Sequence, residues 1–131
     1  MKTLIVEDEP TNRLLLQEIL KEYGPVDIAV NGKESVDAVL FAMEEGEPYE
    51  LICMDIMMPE MDGQTALKHI RAMEEARGIV STQGARIIMT TALGDLKNVS
   101  AAYKSLGDGY LVKPIKKEKL LESLRELRLI K

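Results

Sequence analysis

Leu51-Ile52-Cys53-Met54 is an apolar run with no polar residue inside it, and it stops at one carboxylate, Asp55. A strand with one wet face alternates apolar and polar positions; a strand covered on both faces does not. The run therefore demands cover on two sides. In a chain of 131 residues, a parallel sheet between two layers of helices supplies it. Loop chemistry follows: Pro59, then the turn pair Asp62-Gly63. A buried strand ending on one acid holds that acid at the carboxyl edge of the sheet, where open parallel sheets bind ligands.

The flanking sequence alternates short apolar runs with helix-period segments. Thr3 to Val6 reads as the first strand and leads into Glu7-Asp8-Glu9. Pro10 and Thr11 can open a helix whose apolar face is Leu16, Ile19, Leu20 and Tyr23, closed by Gly24-Pro25. Val26 to Val30 alternates, with Val26, Ile28 and Val30 set against Asp27 and Ala29, which predicts an edge strand with one wetter face. After the turn Asn31-Gly32, a helix carries Val36, Val39, Leu40 and Met43 and ends near Gly46. Ala66, Leu67, Ile70 and Met73 mark a third helix that stops by Gly78, and a polar loop with no assigned purpose runs to Ala85. Arg86 to Met89 is a fourth strand running into Thr90-Thr91-Ala92, and a fourth helix carries Val99, Ala102, Tyr103 and Leu106. Tyr110 to Val112 is the fifth strand, ending at Lys113-Pro114, and Leu120, Leu121, Leu124 and Leu127 line the last helix. Five strand–helix units predict an α/β, doubly wound, five-stranded parallel sheet of flavodoxin-like type in a single domain over 1–131. With the alternating strand at an edge the order is 2-1-3-4-5, and the switch point falls between the first and third strands.

Charge and cysteine usage narrow the function. A net charge of -5 argues against a nucleic-acid surface, which needs a basic face. Lys116, Lys117, Lys119, Arg125 and Arg128 alternate with Glu118, Glu122 and Glu126, the pattern of a solvated helix face. Cys53 is the sole cysteine, so no internal disulfide forms, which suits a reducing compartment. There is no signal peptide and no apolar run near the ~20 residues of a membrane span. The expected location is the cytoplasm, without membrane insertion or direct nucleic-acid binding. His69 is expected on the solvent face of its helix, and Cys53 in the core.

Four strand ends then meet in one cleft: Glu7 and Asp8 from the first, Asp55 from the third, Thr91 from the fourth, Lys113 from the fifth. Three carboxylates repel one another, and a hard divalent cation with oxygen ligands resolves the conflict. Asp8 and Asp55 are the expected ligands, Glu7 a ligand through water, and the backbone carbonyl of Met57 a further oxygen. Mg²⁺ (or Mn²⁺) is the expected ion. Phosphoryl transfer needs a nucleophile, a metal and further donors around the phosphoryl oxygens. Asp55 is the candidate nucleophile, giving an aspartyl phosphate; Lys113 supplies a point charge, and the Thr91 hydroxyl can donate. Thr90 competes with Thr91 for that role.

In these motifs the chain resembles the receiver domain of two-component response regulators, and most closely the single-domain chemotaxis regulators. The resemblance rests on Glu7-Asp8, on Asp55 with Met58-Pro59 and Met61-Asp62-Gly63, on Thr91-Ala92, and on Tyr110 three residues before Lys113-Pro114. It implies a phosphorelay: a sensor histidine kinase or a histidine phosphotransfer protein donates to Asp55, Thr91 is drawn inward, and Tyr110 turns from exposed to buried. The face formed by the fourth helix, fifth strand and fifth helix is thereby reshaped for a downstream target. It also implies a cis Lys113-Pro114 peptide, catalysis of its own phosphorylation and slow self-dephosphorylation, and a monomer or a phosphorylation-linked dimer. Met57 and Leu93 are apolar where chemotaxis regulators carry polar residues that place the hydrolytic water, so a longer-lived aspartyl phosphate is expected.

Three other readings are weaker. A flavodoxin-like electron carrier needs a phosphate-cradling loop where this chain has Glu7-Asp8-Glu9. An aspartyl phosphatase usually carries a second Asp at the place of Met57. A receiver that docks without taking phosphate would lack site residues, and every expected one is present.

Overall fold

Alternate residues of each central strand enter different cores, as the non-alternating run requires. The computed structural model describes residues 1–80, 83–92 and 106–131. Strand β1 (Thr3–Val6) is followed by α1 (Pro10–Leu20) and a 3-10 turn (Lys21–Tyr23), then β2 (Val26–Ala29) and α2 (Gly32–Glu44). Next come β3 (Leu51–Asp55), α3 (Gly63–Ala76), β4 (Arg86–Thr91), β5 (Gly109–Val112) and a last helix, α4 (Lys117–Glu126). The expected fourth helix, with Val99, Ala102 and Tyr103, lies outside the described residues, as does Leu93. All strand pairs are parallel, in the order β2-β1-β3-β4-β5. This is the expected doubly wound, flavodoxin-like architecture.

Leu4, Val6, Ile52, Met54, Ile87 and Met89 pack with α2 and α3 residues such as Val39, Leu67 and Ile70. Their strand neighbours Ile5, Leu51, Cys53 and Ile88 pack on the other side with Leu16, Leu20, Leu120 and Leu124 of α1 and α4. Each fully buried aliphatic side chain contributes about 2 kcal/mol from water removal alone, so the two cores fix which residue faces which layer.

The edge strand departs from expectation in its faces and its end. β2 lies at the edge, but Ala29 is the buried residue, while Ile28 and Val30 are exposed. The apolar members of the alternation point away from α2: Val26 packs on the α1/α4-side core, while Ile28 and Val30 are left exposed. β2 also stops at Ala29, because Asn31 turns the chain to cap α2, its side chain accepting from the Glu34 amide at 2.8 Å. Glu34 answers by accepting from the amide of Val30, the residue before the cap, at 3.2 Å. Glu9 caps α1 and Asp62 caps α3 in the same manner. Cys53 is buried and His69 exposed, and the basic residues of α4 lie in solvent. Among the described residues no helix is long and apolar enough to cross a membrane.

Candidate functional site

The period of two that sorts the cores also assembles the site. The ladder continues past β1 through a Glu7 amide bond to the Ala29 carbonyl, and past β5 through a Lys113 amide bond to the Thr91 carbonyl. Glu7 is therefore in phase with Ile5, Asp55 with Cys53, and Lys113 with Leu111. All three belong to the face covered by α1 and α4, at the carboxyl ends of three strands. Met89 and Tyr110, which are register partners, fall in the opposite phase, and Thr91 continues that phase.

The acids converge as expected. Glu7, Asp8 and Asp55 each place a carboxylate oxygen within 4.8 Å of the others. Glu7 is 1% and Asp55 5% exposed, while Asp8 faces solvent. Lys113 Nζ sits between the two buried acids, 3.0 Å from Asp55 Oδ2 and 3.0 Å from Glu7 Oε1. The contact to Asp55 is a hydrogen bond. The contact to Glu7 is an ion pair at the same distance, and among the described residues no other donor reaches the buried Oε1.

Burial pushes the Glu7 carboxyl above its usual range, and nearby Asp55 adds to this against the pull of Lys113. Burial alone would depress the Lys113 ammonium, but Glu7 and Asp55 outweigh it and hold the group above its ordinary value. The lysine thus already does part of what the sequence reading gave to a metal. A buried carboxylate oxygen paired with the lysine, beside two further carboxylates of which one is open to water, is a donor set that fits a hard cation with oxygen ligands.

The remaining expected residues are placed as follows. Met57 donates its backbone N–H to Asp55 Oδ1 at 3.3 Å. Its side chain is 60% exposed, so it stands in solvent instead of sealing the carboxylate. Thr91 is buried, and its hydroxyl donates to the Ala92 carbonyl at 3.2 Å. Thr90, the register partner of Asp55, is buried too. Tyr110 is half-buried against the α2/α3-side core, beside Gly107. Burial and the nearby Asp108 raise its hydroxyl above the ordinary value. The Lys113-Pro114 peptide is cis. A groove of about 380 Å³ lies beside these residues, lined by Tyr110, Val112, Pro114, Ile115, Lys116 and Lys119 among others.

The sequence reading missed a second polar cluster at the opposite edge of the sheet. Arg71 donates to Glu74, to Asp108 and to the carbonyls of Ala85 and Leu106, all between 2.7 and 2.9 Å. Glu74 also accepts from the Ala85 amide, and Asp108 from the Ile87 amide. This cluster ties α3 to Ala85, just before β4, and to the entry of β5, which gives the end of that stretch a structural role. A hint was available in Glu74, one turn beyond Ile70 on the apolar face of α3.

Comparison with known proteins agrees with the geometry. Residues 3–125 match the response regulator receiver domain family. The chain is 34% identical over 127 residues to the chemotaxis protein CheY of Halobacterium salinarum, covering 96% of this chain and 95% of that protein. It is also 34% identical to the osmosensing histidine protein kinase SLN1 of Saccharomyces cerevisiae, of which it spans 10%. Among solved structures, the receiver domain of the sensor histidine kinase PA1611 from Pseudomonas aeruginosa, with magnesium coordinated in its active-site cleft, superposes with a TM-score of 0.73 at 30% identity, covering 97% of each chain. The receiver domain of Ssk1 from Saccharomyces cerevisiae, crystallised with the histidine phosphotransfer protein Ypd1, superposes with a TM-score of 0.79 at 30% identity over 97% of this chain and 88% of that one.

Proposed function

Because the chain belongs to the receiver domains of two-component response regulators and serves phosphorelay signalling, we propose that Asp55 is its phosphoacceptor in a Mg²⁺-dependent reaction. The observation that carries this reading is Lys113 Nζ held 3.0 Å from Asp55 beside the Glu7–Asp8 pair. A phosphohistidine on a sensor histidine kinase or phosphotransfer protein is the donor. An Asp55 oxygen attacks the phosphorus, the P–O bond forms as the P–N bond breaks, and the imidazole leaves with that electron pair and takes up a proton. Glu7, Asp8, Asp55 and the Met57 carbonyl are the residues to hold the ion. When bound, Mg²⁺, or Mn²⁺ in its place, neutralises charge on the phosphoryl oxygens.

Lys113 serves as the second positive group. It can turn from Glu7 toward a phosphoryl oxygen, since its side chain is partly open to solvent. Among the described residues the partner of the Thr91 hydroxyl is its neighbour's carbonyl, a bond it can exchange for one to the phosphoryl group. Tyr110 shares its phase and moves with it, reshaping the groove beside β5 and α4 for a downstream target protein. The domain works in the cytoplasm, as a monomer or a dimer formed on phosphorylation.

The test is incubation with acetyl phosphate and Mg²⁺ followed by intact mass. One added phosphoryl group is expected, absent from Asp55→Asn and absent when Mg²⁺ is chelated. A wild-type mass that never changes would overturn the assignment.

A further inference from the structure

The loop that leaves Asp55 touches α2 at one glycine. Gly32 is the first residue of α2 and is buried. Its N–H donates to the Met61 carbonyl at 3.1 Å. A Cβ built on Gly32 would overlap that carbonyl oxygen and come within 2.9 Å of its carbon. Gly32 has no left-handed backbone angle; the glycines that do are Gly24, Gly46 and Gly78. Helix propensity does not favour glycine either, since a helical Gly is about 1 kcal/mol worse than Ala. Space is the reason that remains: two backbones meet here with no room for a side chain.

The loop is also held by the packing of Ile56, Met58 and Met61 on the α2/α3-side core, and its backbone is held through its ends. The Ile56 amide bonds the Thr90 carbonyl, and the Gly63 amide bonds the Ile56 carbonyl. A Cβ on Gly63 would overlap the Asp55 carbonyl oxygen. Between these ends, the Met61 amide turns back on Pro59 and the Met57 amide on Asp55. Among the described residues, the bond from Gly32 is the backbone hydrogen bond that reaches residues 57–61 from outside the loop. Asn31, whose side chain caps α2, fixes the first turn from which it comes.

We propose that Gly32 is a positioning residue for the phosphoryl site: α2 seats the 56–62 loop through it, and thereby sets where the Met57 carbonyl stands relative to Asp55. This rests on the reading of the acidic cluster as a Mg²⁺ site. A methyl group at position 32 pushes the Met61 carbonyl away, and the loop carries the Met57 carbonyl with it. Groups that orient metal ligands without touching the ion are worth about 10–100-fold in affinity.

The test compares Gly32→Ala with Gly46→Ala. Gly46 has nothing within 4 Å of its notional Cβ and a φ of +75°, so a methyl there strains the backbone and touches no loop. Backbone amide spectra are recorded on metal-free proteins, then through a Mg²⁺ titration, and urea midpoints are measured alongside. Gly32→Ala is expected to shift the amides of residues 57–62 before any metal is added, and to weaken Mg²⁺ binding about tenfold. Gly46→Ala is expected to lower the urea midpoint and leave both unchanged. Wild-type amide positions and Mg²⁺ affinity in Gly32→Ala, with only stability lost, would overturn the proposal.

If Gly32→Ala does not fold, the pair Gly32→Ala with Met61→Gly gives the loop freedom to swing aside. Weak Mg²⁺ binding in that folded pair supports the proposal, and wild-type binding overturns it. A wild-type protein that binds no Mg²⁺ overturns the site reading itself, which keeps the two failures apart.

Discussion

At the residue scale the site is a problem of uncompensated charge. Two buried carboxylates share one lysine, 3.0 Å from each. Lys113→Ala leaves Glu7 and Asp55 facing each other without the ammonium between them. Breaking a buried pair costs about 3–5 kcal/mol, and the partial exposure of Lys113 puts this one at about 3 kcal/mol or below. Mg²⁺ should then stabilise the variant more than the wild type, because it supplies the missing charge as well as its own binding energy. Urea midpoints of both proteins, with and without Mg²⁺, measure this. Equal gains would mean that the lysine and the ion do not answer the same acids. Phosphorylation of the variant from acetyl phosphate should also be slower, since one positive group near the transferred oxygens is gone.

At the element scale, strand phase is what made the site legible. The uninterrupted Leu51–Met54 run told of a strand buried on both faces, and Glu7, Asp55 and Lys113 then followed as polar strand-end residues; that these three share one phase, and Thr91 does not, is seen only in the structure. The edge strand shows where such reading stops. The alternation of Val26, Ile28 and Val30 located an edge but not which face is wet, because that depends on how far the helices reach across β2. The stretch 78–85 looked purposeless because the partners of its last residue, Arg71 and Glu74, lie on α3, and Arg71 in turn pairs with Asp108, more than twenty residues onward. Pairings at that separation leave no local periodicity.

Arg71 holds α3, the start of β4 and the entry to β5 together, with Glu74 as its most buried acid. Arg71→Ala strands that acid and is expected to cost about 3–5 kcal/mol, read as a urea midpoint. Glu74→Gln keeps a group able to accept from the Ala85 amide and should cost less. A loss below about 1 kcal/mol for Arg71→Ala would show the cluster to be idle, since that is the range of exposed pairs.

At the scale of the whole molecule, two buried protons set an alkaline limit. Burial pushes the Cys53 thiol up to about 12. Burial, together with the hydrogen bond to Asp27, also raises the Tyr49 hydroxyl. A group whose folded pKa exceeds its unfolded one holds its proton more tightly in the fold. Its full contribution to stability is present below the unfolded pKa and is lost as pH rises toward the folded one. For Cys53 that window runs from about 9 to about 12, with a slope of at most about 1.4 kcal/mol per pH unit for each group. Urea midpoints should therefore fall across it, and fall less steeply in Cys53→Val. Identical slopes in the two proteins would remove the thiol from the account.

One consequence follows from the opposite phases of Asp55 and Tyr110. Under the function proposed above, the sheet is a partition, with the acid that would receive the chemical message hung on one side and the tyrosine that would announce it on the other; among the described residues Thr91, at the rim, would take part in both conversations. Whatever listens at Tyr110 has no need to see the acid. The vocabulary of listeners can therefore be rewritten around the tyrosine, residue by residue, while the grammar of the acids stays as it is.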